Sequence, residues 1–365
     1  MGGAAVTGAF PAPGIPAPRR RRRRVLAAVL GLLCLVLVAL AFIPLPYVVM
    51  GPGPVTNTLG ATRDGRPLIS VPKAQDHPAS GVLSFTTVSV RGGPGATVTA
   101  YDLLAASVSQ ARSVVPEEQV FPQGATNEEI KRENAAEMTH SQEDAVVVAE
   151  RALGLTVPET VSVGVLPTGS PAIGRLEPGD RFVQVGSTPV TGSAGLRSAI
   201  QSYAAGQSVP VTVVRDGARR QVSLPVREQQ GRKVIGVGLK VDYTFPVKVT
   251  IDAGDVGGPS AGMMFALGIH DRLTPGELTA GQRIAGTGTL SPDGRVGPIG
   301  GIQQKLAGAR AAGIQWFLAP AGNCGEVVGH VPDGLRVVRV DDFDDALADV
   351  RAIAAGKGAG LQGCG

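Results

Sequence analysis

The sequence predicts an α/β fold interrupted by a small, mainly β unit and preceded by one membrane-spanning helix. Three observations carry this. An uncharged run, Val25 to Ile43, follows six consecutive arginines. Strand-like and helix-like segments alternate from Gly81 to Gly154 and again from Phe245 to Ala319. Between those stretches, Val161 to Leu239 reads as short strands and turns around a single helix. A chain of 365 residues is long enough for two or three domains with a substantial core.

Taken in order, residues 1–18 are rich in Ala, Gly and Pro and carry no charge, which reads as a disordered stub. Arg19 to Arg24 follow, then the apolar run, long enough to span about 28 Å, close to the hydrocarbon thickness of a bilayer. Pro44 and Pro46 end that helix. The arginines hold the amino-terminal flank in the cytoplasm, so the remainder lies outside the cell. A cleaved signal peptide is the other reading, since Ala39-Leu40-Ala41 suits a signal peptidase. The apolar run is longer than a usual signal core, which favours the anchor.

Gly51 to about Ala79 reads as a Gly- and Pro-rich linker with one short strand at Pro67–Val71. Gly81 to Val90 is a β-branched strand closed by Gly92-Gly93-Pro94. Tyr101–Val115 reads as a helix. Thr126-Asn-Glu-Glu129 is a capping box opening a helix through Met138, and Ser141 can cap another, Ala145–Leu153, closed by Gly154. In the β unit, Pro178-Gly-Asp180 turns into a strand, Arg181–Val185, and Gly195–Tyr203 is a helix. Asp216-Gly217 joins Val211–Arg215 to Ala218–Leu224 as a hairpin. Then come a strand at Val247–Ile251, a helix at Ser260–Ile269, a strand-like Gly281–Leu290, a helix at Ile302–Ala312 and a strand at Trp316–Ala319.

Charge excludes one class of function. The net charge of +4 comes from the arginine run alone, and the chain beyond Met50 sums to −2. A folded part with no basic excess does not fit nucleic acid.

Two motifs can carry chemistry. Gly257-Gly258-Pro259-Ser260-Ala261-Gly262 follows a strand and opens an apolar helix. Gly297-Pro-Ile-Gly-Gly-Ile-Gln-Gln-Lys305 leads into another helix. A serine hydroxyl is a poor nucleophile until a base takes its proton. A lysine can be that base only when neutral, which desolvation achieves by lowering its pKa from about 10.4 toward 7, at roughly 4 kcal/mol. Lys305 lies at the edge of the stripe Ile302, Leu306, Ala309, so it is aimed toward the core. The glycines beside Ser260 let a substrate backbone approach, and a helix start offers free N–H groups to an oxyanion.

Together these motifs resemble the proteolytic domain of the Lon family, whose nucleophile is the serine of Pro-Ser-Ala-Gly and whose base is a lysine after Pro-Ile-Gly-Gly. The resemblance assigns those roles to Ser260 and Lys305, with Gly257, Gly258, Pro259, Ala261 and Gly262 forming the motif and oxyanion region. The segment from Gly169-Ser-Pro-Ala172 through Leu176-Glu-Pro-Gly-Asp180 to Val213-Val-Arg-Asp-Gly217 resembles bacterial PDZ domains, which add a peptide to a sheet edge. In that resemblance the edge falls at Val161, Ser162, Val163, Gly164 and Val165. With Met138-Thr-His-Ser-Gln142, the whole is similar to the membrane-anchored, PDZ-containing Lon-like serine proteases of the YlbL type.

What this implies is an α/β (α+β) Lon-type proteolytic domain interrupted by an inserted, mainly β PDZ domain and preceded by a single transmembrane helix. The expected segments are a basic cytoplasmic stub (1–24), the helix (25–43), a linker (44–80), the first part of the Lon-like domain (81–157), the PDZ domain (158–240), the catalytic part (241–352) and a tail (353–365). The function implied is an ATP-independent serine endopeptidase acting on exported or membrane polypeptides. No Gly-x-x-x-x-Gly-Lys-Ser/Thr loop occurs, so no nucleotide or other cofactor is expected. Homo-oligomerisation is implied by the family. One departure stands out: Gly257 and Thr287 occupy positions where ATP-dependent Lon enzymes often place acidic residues, leaving open what orients Lys305.

Other readings are weaker on their motifs. No Gly-Asn-Ser-Gly-Gly loop or His-Glu-x-x-His is present, and His77, His140, His270 and His330 lack ligand spacing, so no metal is expected. His270-Asp271 reads as a helix-end pair. The alternative of another class is a non-catalytic, membrane-tethered PDZ adaptor whose Lon-like fold only assembles oligomers. Cys324 and Cys364 are the two cysteines outside the apolar run. A disulfide between them would close a loop of about 40 residues and stabilise by roughly 4 kcal/mol, against the reading of two unrelated thiols.

Overall fold

The computed structural model of the chain describes residues 2, 3, 8, 19–62, 64–77 and 81–365. The expected disordered stub therefore lies mostly outside the described residues. The chain divides into two compact units, Met1–Gly51 with Val90–Asn127, and Pro52–Ser89 with Glu128–Gly365.

In the first unit, α1 (Arg19–Leu40) is the apolar helix, and its described side chains are almost all exposed. Strand β1 (Tyr47–Asn57) begins in this unit and ends in the second, β2 (Ile69–Ser70) belongs to the second, and β3 (Val82–Arg91) belongs to the second but for its last two residues. Helix α2 (Ala100–Ser107) and strand β4 (Ser113–Pro116) complete the first unit. The helix expected over Tyr101–Val115 thus ends eight residues early. Val114 and Val115 pair instead with Val49 and Val48, a β-branched pair ahead of Pro116 whose backbone is biased to the extended region.

The linker expected over 44–80 is corrected by β1. Its Gly and Pro residues serve the sheet: Ser89 and Thr87 hydroxyls donate to the carbonyls of Pro52 (3.2 Å) and Pro54 (2.9 Å). A Cβ on Gly53 would come within 2.4 Å of Thr87 Oγ1, so only glycine allows this approach.

The second unit continues with α3 (Asn127–Ala152), one unbroken helix where two were expected. Ser141 is interior to it and caps nothing. Next comes the β unit: β5 (Glu159–Val165), β6 (Arg181–Val185), β7 (Thr188–Pro189), α4 (Ser193–Gln201), β8 (Ser208–Arg215), β9 (Ala218–Pro225), β10 (Arg227–Gln229), β11 (Arg232–Val234) and β12 (Gly238–Tyr243). Its main sheet has the order β12-β5-β6-β8-β9 and closes over its own core, including Val161, Val163, Phe182, Leu196, Val211 and Leu224. The edge expected at Val161–Val165 is a second correction. That strand is interior, flanked by β12 on one side and β6 on the other, and the open edge beside it is β12. The family pattern marks where the strand lies in the sequence, but edge status depends on which later segment returns to pair with it.

The chain then resumes the α/β pattern with β13 (Thr250–Ile251), α5 (Gly262–Leu273), β14 (Arg283–Gly286), β15 (Thr289–Leu290), β16 (Val296–Gly297), α6 (Ile302–Ala311), β17 (Trp316–Pro320), α7 (Cys324–Val327), β18 (Arg336–Val340) and α8 (Phe343–Ala354). The sheet runs β18-β17-β14-β3-β1, with β3, β14, β17 and β18 parallel. Alternate residues serve opposite faces. Ile284, Leu318 and Val338 join the core that α3, α5 and α8 cover, while Ala285, Phe317 and Ala319 join the core under α6. Helix α5 is buried from Gly262 through Asp271, as its near-continuous apolar sequence requires.

Candidate active site

The loop Gly257–Ala261 sits between the core and helix α3. Gly258 takes φ +83° and donates its N–H to Asn134 O at 3.0 Å, while Ser141 Oγ donates to Pro259 O at 3.0 Å. Both anchors lie on α3, two turns apart. Gly257 abuts Asn134, where a Cβ would meet the Asn134 Cβ at 2.8 Å. Gly262 is similarly confined by Ser141 Oγ and Leu290, so neither glycine can be exchanged without moving the loop.

Ser260 lies two residues before α5 rather than at its first position, a correction to the expected helix Ser260–Ile269. The pre-helical loop leaves Ser260 partly exposed while Ala261 is buried. The expected strand Gly281–Leu290 also breaks, at Thr287-Gly288, between β14 and β15. That break lets Gly288 N and Thr287 Oγ1 both donate to Ser260 O, each at 2.9 Å.

From the other side, Gly301 adopts the left-handed conformation (φ 69°) and starts α6. Asn323 is 1% exposed and brackets the preceding loop: its Oδ1 accepts from Ile299 N and its Nδ2 donates to Ile299 O, both at 2.9 Å. One turn into α6, Lys305 is 3% exposed. Its Nζ lies 2.9 Å from Ser260 Oγ and 2.9 Å from Thr287 Oγ1. Burial lowers the Lys305 pKa to about 7. The structure therefore brings Ser260, Lys305 and the Gly257–Gly262 loop together. It holds Val161–Val165 in the other sheet.

Thr287, at a position where ATP-dependent Lon enzymes often place an acidic residue, touches both partners. Its hydroxyl has one proton, and that proton goes to Ser260 O. Toward Lys305 it can only accept. A neutral amine that donates an N–H to Thr287 is left free to turn its lone pair toward Ser260 Oγ–H. A neutral hydroxyl thus orients the lysine without raising its pKa, as a carboxylate would. Asp252 is turned away, 3.0 Å from Arg66 in an ion pair. His270 lies in the last turn of α5, as the helix-end reading expects, but is buried there, and desolvation lowers its pKa.

A cavity of about 430 Å³ opens beside the serine loop, between α3 and β13. Met138, Ile251 and Val256 give it apolar wall, and Gln142 and Thr139 give it polar rim. Cys324 and Cys364 are disulfide-bonded, with Cα atoms 4.8 Å apart, next to the Asn323 that brackets the α6 entry.

A family profile described as the Lon protease (S16) C-terminal proteolytic domain matches residues 226–352, and one described as a PDZ domain matches residues 138–226. Among curated proteins, the Lon protease of Campylobacter concisus is 30% identical over 169 residues, 44% of this chain and 20% of that protein. Lon protease 2 of Bacillus subtilis is 29% identical over 110 residues, 30% of this chain and 18% of its own length. The chain thus spans a fifth or less of these relatives. Among solved structures, the PDZ domain of an SdrC-like protein from Listeria monocytogenes is similar at 21% identity, covering 22% of this chain and 85% of that one, with a TM-score of 0.21.

Proposed function

Since the chain carries a Lon-type C-terminal proteolytic domain together with a PDZ domain, we propose that it is an ATP-independent, membrane-anchored serine endopeptidase that cleaves exported or membrane polypeptides with a Ser260–Lys305 dyad. The observation that carries this is the buried Lys305 amine, 2.9 Å from Ser260 Oγ with a pKa of about 7. Near neutral pH such an amine is neutral in a large fraction of molecules and competent as a base.

In this reading, Ser260 Oγ attacks the substrate carbonyl while its proton passes to Lys305 Nζ. N–H groups ahead of the first turn of α5 receive the developing oxyanion, because the first N–H groups of a helix have no partner within it. The Lys305 ammonium returns the proton to the leaving amine, and water then clears the acyl-enzyme with Lys305 again as base. The cavity along α3 takes a substrate side chain. A peptide adds as a strand to the open edge of β12 in the PDZ domain. The apolar helix α1, 19 residues of it with mean hydropathy 2.3, anchors the chain with its arginines in the cytoplasm.

The test is digestion of an unfolded model protein by the purified chain without ATP. Cleavage that disappears in both Ser260→Ala and Lys305→Ala supports the dyad. Equal inertness of folded wild type and variants favours the non-catalytic adaptor.

A further inference from the structure

Helix α3 holds more than the serine loop. Along its first fifteen residues, Asn134 and Ser141 grip Gly258 and Pro259. In its last turn, Arg151 Nη1 donates to Pro292 O at 2.8 Å, and Arg151 Nη2 donates to Glu159 Oε1 at 2.7 Å. Pro292 sits in the tip of the hairpin formed by β15 and β16. The stems of that hairpin lead directly to two side chains that touch the serine: Thr287 precedes β15, and the Pro298–Gly301 loop after β16 opens α6 and Lys305. One helix thus grips the nucleophile from one end and the base from the other.

Glu159 belongs to the PDZ sheet. It lies on β5 opposite Tyr243 of the open-edge strand β12, and its second oxygen, Oε2, accepts from Ser193 N, the first residue of α4, at 2.7 Å. A carboxylate at the amino terminus of a helix is favoured there. The side chain is only 11% exposed, and Arg151 is 35% exposed, so this ion pair is partly shielded from salt and water. Gly192 is needed beside it, since a Cβ there would come within 3.0 Å of Glu159 Oε2. A planar guanidinium can hold a carboxylate and a carbonyl at once in fixed directions, which an ammonium on a flexible stem does not.

We infer that Arg151 is a positioning residue for the dyad, and that through Glu159 it ties the position of the active-site hairpin to the PDZ domain. The inference rests on the Ser260–Lys305 reading. It makes Glu159, a PDZ residue that touches none of the reacting groups, a determinant of Lys305's environment. When the tip at Pro292 is released, water gains access around Lys305 and its amine regains protons.

The test compares wild type with Arg151→Met, Arg151→Lys and Glu159→Gln in the full chain, reading the rate at which a fluorophosphonate labels Ser260 as a function of pH. Arg151→Met is expected to label roughly ten- to a hundred-fold more slowly, with the midpoint moved upward from about 7. Arg151→Lys should recover only part of the rate, and Glu159→Gln should show a smaller slowing with the same upward shift. Amide hydrogen exchange over residues 289–297 is measured alongside and should quicken in each variant. Rates and midpoints equal to wild type in folded Arg151→Met overturn the inference. So does slower labelling with an unmoved midpoint, which would be a merely structural defect, or a Glu159→Gln protein that differs in neither readout. If wild type itself does not label, or labels no faster than Ser260→Ala, the dyad fails. The exchange measurement then still decides whether Arg151 and Glu159 hold the hairpin.

Discussion

At the scale of single residues, Lys305 is a buried amine held between two hydroxyls. Its folded pKa of about 7 lies below the usual value near 10.5, so the unfolded chain binds the extra proton between those limits. Stability contributed by this position therefore rises with pH from about 7 to about 10.5. Below 7 the folded state carries the full desolvation penalty. Lys305→Met, similar in shape and uncharged, should stabilise the fold by roughly 4 kcal/mol at pH 6, with the difference shrinking toward pH 10, as denaturant melts at several pH values would record. Under the proposed dyad the same substitution should abolish peptidase activity, which the digestion assay reads. Thr287 gives a complementary expectation: Thr287→Val should lower kcat by roughly a hundred-fold with little change in KM, and Thr287→Ser should restore most of it. Equal kinetics in Thr287→Val would remove the hydroxyl from the orienting role.

At the scale of elements, β1 and β3 approach each other closely at Gly53 and Thr87. Gly53→Ala forces a Cβ against the Thr87 hydroxyl and backbone, so it should lower stability by about 1–3 kcal/mol, visible as a lower Tm. Gly124→Ala, with no atom within 4 Å, is a control in which only the left-handed backbone (φ +79°) is taxed. This strand is also where sequence reading failed most. Gly51-Pro-Gly-Pro54 has the composition of a linker. Its strand character comes from the Thr87 and Ser89 hydroxyls that meet it across the sheet, more than 30 residues away. Helix α3 failed for a related reason. Ser141 has the chemistry of a cap, and nothing local reveals that its hydroxyl is used by Pro259, 118 residues on.

At the scale of the whole molecule, the Cys324–Cys364 disulfide closes a 40-residue separation across β18 and α8. Replacing both cysteines by serine should lower stability by about 2–4 kcal/mol. Because Asn323 adjoins the bridge and brackets the entry to α6, activity near the Tm should fall with it. In cell fractionation the full chain should stay in the membrane pellet after carbonate washing, and a chain begun at Pro44 should not. Release of the full chain would favour a cleaved signal over an anchor.

Much of this was legible in the sequence because it rests on local chemistry. Helix entry at Gly301, the Asp216-Gly217 hairpin, the buried course of α5 and the uncharged run in α1 each follow from neighbouring residues, whose turn preferences and apolar periodicity act over a few positions. Ser260 and Lys305 could be singled out because the Pro-Ser-Ala-Gly and Pro-Ile-Gly-Gly motifs resemble those of the Lon family, with the core-facing course of Lys305 in support. What only the tertiary structure decided are relations between distant segments: that Thr287 touches both Ser260 O and Lys305 Nζ, that β12 rather than β5 is the open edge, and that Arg151 reaches both Glu159 and Pro292. The physical reason is the range of the forces. Backbone conformation is set by adjacent residues. A hydrogen bond, an edge or a desolvated amine exists only once the chain has folded and segments far apart in sequence exclude water between them.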